Sequence, residues 1–397
     1  MKWIYVVENT LEKQNARLTH VIEFCHAVKK TDNLILVSQS NPSALSQLAD
    51  FECLQIKPIH IRPHNLGYIF NTIKAFFYLR KLLKITKPDV IYERAGGFSL
   101  GPLLIARFKH IPAILEINGN WDEEQKLALK QVSFPAKALV ALTNKLRSFS
   151  LTLACQIATQ LIVVSPNIAR FLQKKGVRDK DKILIVTNGV NVERFTPMDM
   201  TICKKDLNLD GNVDYIGFIG SLSAWQGVED LILAYSHLPQ ELTSKFHLLI
   251  VGDGPEYKRC HDLCEQVDLD NSVIFTGARP YISIPQHIGA CSVLVAPRKP
   301  FPCSPLKLYE YMSCARPIIA SNIQDMEFIE KQGLGFLFPP GDVNNLAEKL
   351  QAVLNLSDEE KKVMSNRCRQ YVLANCSWDV VVQTIRKFVI SGSTNKQ

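Results

Sequence analysis

Val293 to Ser321 reads VLVAPRKPFPCSPLKLYEYMSCARPIIAS, and the order of its residue types decides the fold class. Val293 to Ala296 is a short apolar run, the length of one buried strand. Prolines at 297, 300, 302 and 305 exclude strand or helix interior from the loop that follows. Ser304 has the chemistry of an N-cap and Pro305 that of a first helical residue, so the spacing predicts a helix from Leu306 to about Cys314. Pro317 ends that helix, and Ile318 to Ala320 begins another buried strand. A strand–loop–helix–strand unit of this kind aims the positive end of its helix at the carboxyl edge of a parallel sheet, where anionic ligands bind in doubly wound folds. Lys307 and Glu310, three residues apart, share a face of the helix. Glu310 stands among Leu308, Tyr309, Tyr311 and Met312, and a carboxylate in that company needs a partner. Two readings follow: a surface ion pair on an ordinary helix, or a nucleotide site with helix N–H groups on phosphate and Glu310 on ribose hydroxyls.

A chain of 397 residues predicts two domains. Its 47% hydrophobic and 21% charged content excludes a disordered chain. The net charge of +8 suits anionic substrates or an anionic membrane surface. No aromatic-interleaved basic cluster or Cys/His finger points to nucleic acid. The 11 cysteines are scattered, and the opening MKWIYVVENTLEKQ lacks a secretory apolar core, so reduced thiols in a cytoplasmic protein are expected. Cys260, His261 and Cys264 have no second ligand pair at finger spacing, and no zinc is expected there. No uninterrupted apolar run approaches the ~20 residues that span a bilayer. Tyr68 to Ile85 has apolar residues at helical spacing together with Lys74, Arg80, Lys81 and Lys84. The preferred reading is a core-facing helix with a solvated basic face; the other is a helix lying on an anionic membrane.

Along the chain, strands are expected at 3–7, 34–38, 54–59, 89–92, 113–117, 161–164 and 183–186, with helices between them. Residues 196–212 have the composition of a polar interdomain connection. A second βα series follows, with strands at 216–219, 246–251, 273–275, 293–296, 318–320 and 335–338. Gly252-x-Gly254 lacks the third glycine of a dinucleotide fingerprint, since position 257 is not Gly. Two βα series predict two doubly wound α/β domains with a ligand between them at the carboxyl ends of both sheets. The expected division is an acceptor-binding Rossmann-like domain over 1–195, a donor-binding Rossmann-like domain over 196–375, and a C-terminal helix within 376–397 packing back on the first.

From about Pro88 to Ser377 the chain resembles glycosyltransferase family 4. The matching pieces, in family order, are Asn188-Gly189-Val190, Gly220-x-Leu222…Gly227, Val251-Gly252-x-Gly254-Pro255, Thr276-Gly277, Lys307-x-x-Glu310-Tyr311-Met312 and Pro339-x-Gly341-Asp342. The resemblance implies the GT-B fold, two doubly wound Rossmann-like domains facing a central cleft. It also implies retaining transfer from a nucleotide-sugar donor, a UDP- or GDP-sugar, without a metal. The implied acceptor is a glycan or lipid-linked glycan in surface polysaccharide or glycolipid synthesis, with peripheral contact between the N-terminal domain and the inner face of the membrane. By position the catalytic roles fall to Asn118, Lys307 and Glu310, with Glu310 on ribose. Donor contacts fall to Gly220, Ser221, Gln226, Gly252, Arg279 near the base, Arg298, and the helix start Ser304, Pro305 and Leu306. Asn118 stands where many relatives carry a His facing the sugar; an amide orients hydroxyls but takes no proton from them.

Two departures qualify the resemblance, and one further motif is set aside. Position 302, a Glu in the family's Glu-x7-Glu, is Pro302, so the identity of the sugar does not carry over. The basic pair expected at 221 and 226 is replaced by Ser221 and Gln226. Asp179-x-Asp181, which resembles the metal motif of the other major glycosyltransferase fold, has the sequence context of a solvated turn. A GT-B nucleotide-sugar epimerase and a catalytically inactive sugar-nucleotide-binding protein are the rival readings.

Overall fold

The computed structural model describes residues 1–7, 16–38, 50–56, 64–96, 99–130, 137–269, 271–300, 306–323 and 326–394. They form two compact units, residues 1–189 with 378–394 and residues 190–377.

In the first unit, strands β1 (Lys2–Val7), β2 (Asn33–Ser38), β3 (Glu52–Gln55), β4 (Val90–Arg94), β5 (Ala113–Ile117), β6 (Gln160–Val163) and β7 (Ile183–Ile185) form one sheet in the order β3-β2-β1-β4-β5-β6-β7. Every neighbouring pair is parallel. Successive residues of β1 divide between two cores. Ile4 and Val6 pack on one face with Leu79, Leu103 and Leu151; Trp3, Tyr5 and Val7 pack on the other with Phe24. A strand buried on both faces favours apolar residues, which explains the runs Val90–Tyr92 in β4 and Ala113–Leu115 in β5. The third strand begins at Glu52, opposite Ile35 of β2, rather than at Leu54; ladder pairing, not hydrophobicity, sets its start. Residues 57–59 of the expected strand lie outside the described residues. The last helix, Trp378–Thr394, lays Val381, Val382, Ile385 and Val389 on the second face, and its Arg386 reaches Asp32 at 3.2 Å.

One residue of β5 breaks the apolar rule. Glu116 is buried, and four side chains converge on it. His20 Nε2 lies 3.0 Å from Oε1 and Arg94 Nε 3.4 Å from it. The Asn118 amide donates to Oε1 at 2.6 Å and the Tyr92 hydroxyl to Oε2 at 2.9 Å. Burial alone would push the Glu116 carboxyl up; the His20 imidazole, the Arg94 guanidinium and the Asn118 amide outweigh it and hold it well below the usual carboxylate range. Burial pushes the His20 imidazole down, against the pull of Glu116. The network turns the Asn118 Nδ2 inward, so its buried carbonyl Oδ1 points away from the carboxylate.

The second unit opens at Val190, whose N–H donates to the Cys376 carbonyl at 2.8 Å and which pairs with Ser377. The chain thus enters and leaves this unit at one bridge, ahead of the expected boundary at 195. The polar connection expected over 196–212 contains a helix, Met200–Asp206. Asp199 caps it by accepting the Ile202 N–H at 2.9 Å, Cys203 is buried, and Lys204 bonds Asp214 at 2.6 Å. The polar residues that suggested a linker are a cap and a tether.

Strands β8 (Asp214–Ile219), β9 (Phe246–Val251), β10 (Val273–Gly277), β11 (Val293–Ala296), β12 (Ile318–Ser321) and β13 (Gly335–Phe338) form a parallel sheet in the order β10-β9-β8-β11-β12-β13. β8 pairs with β9 from Asp214 to Ile219, but with β11 only at Ile216 and Gly217. The chain order reverses between β8 and β11, so the strands part at the topological switch point. Tyr311 of the helix Leu306–Ser313 fills the gap. Its hydroxyl donates to the Ile219 carbonyl at 2.8 Å and accepts the Ile219 N–H at 2.9 Å, replacing the missing ladder partner.

Two measurements test this architecture. Tyr311→Phe leaves a buried N–H and C=O without their partner and is expected to lower stability by about 1–3 kcal/mol in urea unfolding; an unchanged midpoint contradicts the plug. Unfolded Glu116, with an ordinary value of about 4.3, binds its proton before the folded residue does. Its stabilisation is therefore complete above about pH 5 and fades as the pH falls. Glu116→Gln is expected to cost about 3–5 kcal/mol at neutral pH and to flatten the acid limb of the stability curve. A variant that keeps the wild-type acid profile contradicts that assignment.

Candidate functional site

The loops after β8, β9 and β10 are stitched together by backbone. The Gly220 N–H donates to the Val251 carbonyl at 2.9 Å, the Leu222 N–H to the Asp253 carbonyl at 2.9 Å, and the Gly252 N–H to the Gly277 carbonyl at 3.0 Å. Both expected glycines are close approaches. A Cβ on Gly252 would strike the Gly220 carbonyl, and a Cβ on Gly220 would strike the Lys307 Nζ. Gly220 (φ +153°) and Gly252 (φ +144°) also hold backbone conformations that L side chains rarely adopt.

Lys307 leaves its own helix and reaches the loop after β8. Its ammonium lies 4.2 Å from the Phe218 ring centroid and donates to the Gln226 Oε1 at 2.7 Å. Gln226 is buried; Ser221 is exposed, its hydroxyl 3.3 Å from that of Ser223. Gly220, Gln226 and Lys307, drawn from two elements distant in sequence, thus meet at the switch point. Glu310, one turn on, accepts the Tyr281 hydroxyl at 3.0 Å. The Tyr281 ring is held in turn by Phe195, centroids 5.5 Å apart, and by the Arg194 guanidinium at 5.2 Å.

Arg298 and Lys299 join the loop after β11 to the loop after β8. Arg298 is 2% exposed, its guanidinium 5.3 Å from the Trp225 ring centroid, and the Lys299 N–H donates to the Trp225 carbonyl at 2.9 Å. Burial against an indole makes Arg298 a brace between the two loops. Arg279 is exposed in the turn after β10, two residues before Tyr281. Leu306 is the half-buried first residue of the helix. Ser304 and Pro305, expected at the helix start, and Pro302 lie outside the described residues. Asn118 sits in the other unit, held by Glu116 at the carboxyl end of β5.

Four participants escaped the sequence reading: Tyr281, Tyr311, Trp225 and His20. Tyr281 and Trp225 carried a weak signal, since aromatics with hydroxyl or N–H groups near loop glycines need partners when buried, and Tyr311 only the general one that a buried hydroxyl needs a partner. His20, in the middle of a helix, carried none. Cys260 and Cys264 are buried in the hydrophobic core of the second unit, while His261 lies 3.5 Å from Glu265. Asp179 caps its own turn by accepting the Asp181 N–H at 3.0 Å.

Residues 199–371 match the sequence family described as glycosyl transferases group 1, and residues 19–194 match glycosyltransferase family 4. An uncharacterized glycosyltransferase of Methanocaldococcus jannaschii is 24% identical over a segment spanning 58% of each chain, so the match covers little more than half of that relative. An N,N'-diacetylbacillosaminyl-diphospho-undecaprenol alpha-1,3-N-acetylgalactosaminyltransferase of Campylobacter jejuni is 26% identical over 75% of each chain. HepE of Anabaena, solved in complex with UDP, superposes with a TM-score of 0.75 over 98% of this chain and 100% of its own, at 17% identity, a likeness of fold. Two family matches laid end to end over two parallel-sheet Rossmann-like units of GT-B type place this chain among the glycosyltransferases of family 4.

Proposed function

We propose that the chain is a retaining glycosyltransferase that moves a sugar from a UDP- or GDP-sugar to a glycan or lipid-linked acceptor on the cytoplasmic side of a membrane, in surface polysaccharide or glycolipid synthesis. The observation that carries this reading is the Lys307 ammonium lying against Gly220 where β8 and β11 part. The acceptor class is supported by the diphospho-undecaprenol in the name of the Campylobacter relative, and the donor class by the UDP bound to HepE.

The chemistry fits these residues. A sugar diphosphate leaves as an anion, so charge grows on phosphate oxygens as the glycosidic bond breaks. A helix N-terminus supplies about half an elementary charge. Ser221 and Gln226 add none, and Lys307 supplies a full one from the opposite side of the loop, in a position fixed before the reaction. Glu310, partnered by Tyr281, presents a carboxylate for two ribose hydroxyls. Asn118, at the carboxyl end of β5, is the residue nearest in role to a sugar-orienting amide; it removes no proton. No step in this scheme calls on a metal.

A screen of UDP, GDP, ADP and their sugars for thermal stabilisation identifies the donor, because a specific ligand raises stability by mass action. Glu310→Gln is expected to weaken binding of that nucleotide by roughly 1–3 kcal/mol in calorimetry; unchanged affinity removes the ribose role. Lys307→Ala is expected to lower turnover by about a hundredfold while binding of the free nucleoside is kept. Wild-type turnover in that variant rejects Lys307 as the phosphate cation. Transfer is expected to persist in excess EDTA, and complete loss restored by Mg²⁺ or Mn²⁺ contradicts the metal-free scheme. Pro302 favours one other reading, a protein that binds the nucleotide sugar without turning it over; stabilisation by a donor with neither transfer nor hydrolysis would establish it.

A further inference from the structure

A closed ring of contacts within the second unit surrounds the Glu310 carboxylate. The helix Leu306–Ser313 carries Glu310, and the Tyr281 hydroxyl donates to its Oε1 at 3.0 Å. Tyr281 opens a short 3-10 helix, Tyr281–Ser283, behind Pro280 in the turn after β10. Its ring meets that of Phe195, centroids 5.5 Å apart. Phe195 is buried, and its N–H donates to the Asn191 carbonyl at 2.8 Å. The Phe195 carbonyl accepts from the Ser313 hydroxyl and, at 2.7 Å, from the Arg369 guanidinium. Arg369 also donates to the Ser313 carbonyl at 2.8 Å and to the Val192 carbonyl at 3.0 Å. Ser313 ends the helix that carries Glu310, so the ring closes through the turn at 191–195, the tyrosine and the carboxylate.

Each link of the ring is fixed more than once. The Asn191 Oδ1 accepts the N–H groups of Glu193 at 3.2 Å and Arg194 at 3.0 Å. That turn lays the Arg194 guanidinium 5.2 Å from the Tyr281 ring centroid. The Tyr311 hydroxyl ties the same helix to Ile219 of β8. What this frame has to control is the last torsion of the glutamate, which is broad rather than confined to staggered wells. A carboxylate free to turn about it aims its two oxygens at no fixed pair of hydroxyls. A bond to Oε1 from a phenol whose ring is held on two sides sets the plane. The donor's neutrality matters as well. A lysine or arginine would also set the plane, but as a charged partner it would compete with an arriving hydroxyl. A phenol orients the carboxylate and cancels none of its charge.

We propose that Tyr281 is a positioning residue for ribose recognition: it sets the plane of the Glu310 carboxylate, and through that plane it gives the site a preference for a ribonucleotide over its 2′-deoxy form. The proposal rests on the reading of Glu310 as the group that accepts from ribose hydroxyls. A site built to hydrogen-bond a hydroxyl rejects the analogue that lacks it far more strongly than an apolar pocket rejects a small change of size. That rejection depends on aim, because a hydrogen bond weakens steeply as its geometry departs from linear. Tyr281 therefore acts on the hydroxyl contact through the carboxylate, and its influence on the rest of the nucleotide is small.

The test is calorimetry of the full chain with UDP, GDP and their 2′-deoxy forms, using the native protein, Tyr281→Phe, Glu310→Gln and the double variant. Tyr281→Phe keeps the ring against Phe195 and removes only the hydroxyl. The native chain is expected to prefer its ribonucleotide by at least about tenfold, the scale of one hydrogen bond to a charged group. Tyr281→Phe is expected to weaken the ribonucleotide by about five- to tenfold and to leave the 2′-deoxy form at its native affinity. Adding Tyr281→Phe to Glu310→Gln is expected to change nothing further, because the tyrosine acts through the carboxylate. Equal weakening of both forms by Tyr281→Phe, with or without a lower unfolding temperature, overturns the proposal in favour of a structural hydroxyl. A native preference kept in that variant overturns it as well, as does a native chain that shows no preference or binds neither nucleotide. The two proposals fail separately: full preference in Glu310→Gln removes the ribose role itself, while preference lost in Glu310→Gln and kept in Tyr281→Phe removes only the positioning role.

Discussion

The second unit depends on a separation that its own connectivity imposes. A sheet whose chain order reverses must open where the two directions meet, and here β8 and β11 share only two paired positions before they part. An opened sheet exposes backbone groups that need partners, and the cost of leaving them bare exceeds the net worth of an ordinary hydrogen bond. The Tyr311 hydroxyl meets that requirement at Ile219. This fixes the helix Leu306–Ser313 against the end of β8, and with it the two residues of that helix that carry charge. Lys307 and Glu310 are therefore held in place by the buried tyrosine that anchors their helix. The stitched glycines follow from the same constraint, because three loops can converge at the gap only where no side chain stands between their backbones.

Much of this was legible in the residues. The short apolar runs and the helical stretch between them define one βα unit at 293–321, and repetition of that pattern defines two sheets. The helix in the 196–212 connection was hidden because its burial rests on Cys203 and on Lys204, a lysine that reads as solvent-exposed and is tied to Asp214 instead. The Glu116 network was hidden for a related reason. Glu116 stands out in its strand, but His20 and Arg94 reach it from an earlier helix and a neighbouring strand, and sequence distance conceals such convergence. Arg298 was expected as a donor contact from its place after a strand, which does not reveal that the fold lays its guanidinium on the Trp225 ring.

Two carboxylate environments, one in each unit, differ in burial and in partners. Glu116 is enclosed by a guanidinium, an imidazole, an amide and a phenol, a set that keeps it ionised and uses its charge to orient Asn118. Glu310 is only half-buried and accepts a neutral phenol, that of Tyr281, at one oxygen. The first is a fixed internal charge that positions a neighbour. The second has the chemistry of a recognition group.

Lys307 brings the electrostatics of the switch point to a single residue. A cation in the first turn of a helix opposes the dipole and costs the helix a few tenths of a kcal/mol or more. In the free protein the Phe218 ring face and the Gln226 carbonyl offset that cost, since both present partial negative charge to the ammonium at 4.2 Å and 2.7 Å. Neither is as strong a partner as a phosphate oxygen, which forms a charge-assisted hydrogen bond. On the function proposed above, a diphosphate would replace these partners with a charge-assisted contact. A cation on the loop at 221 or 226 would need no such holding pattern, because it would stand outside the helix. Placing the charge in the helix ties its position to the Tyr311 plug that anchors that helix.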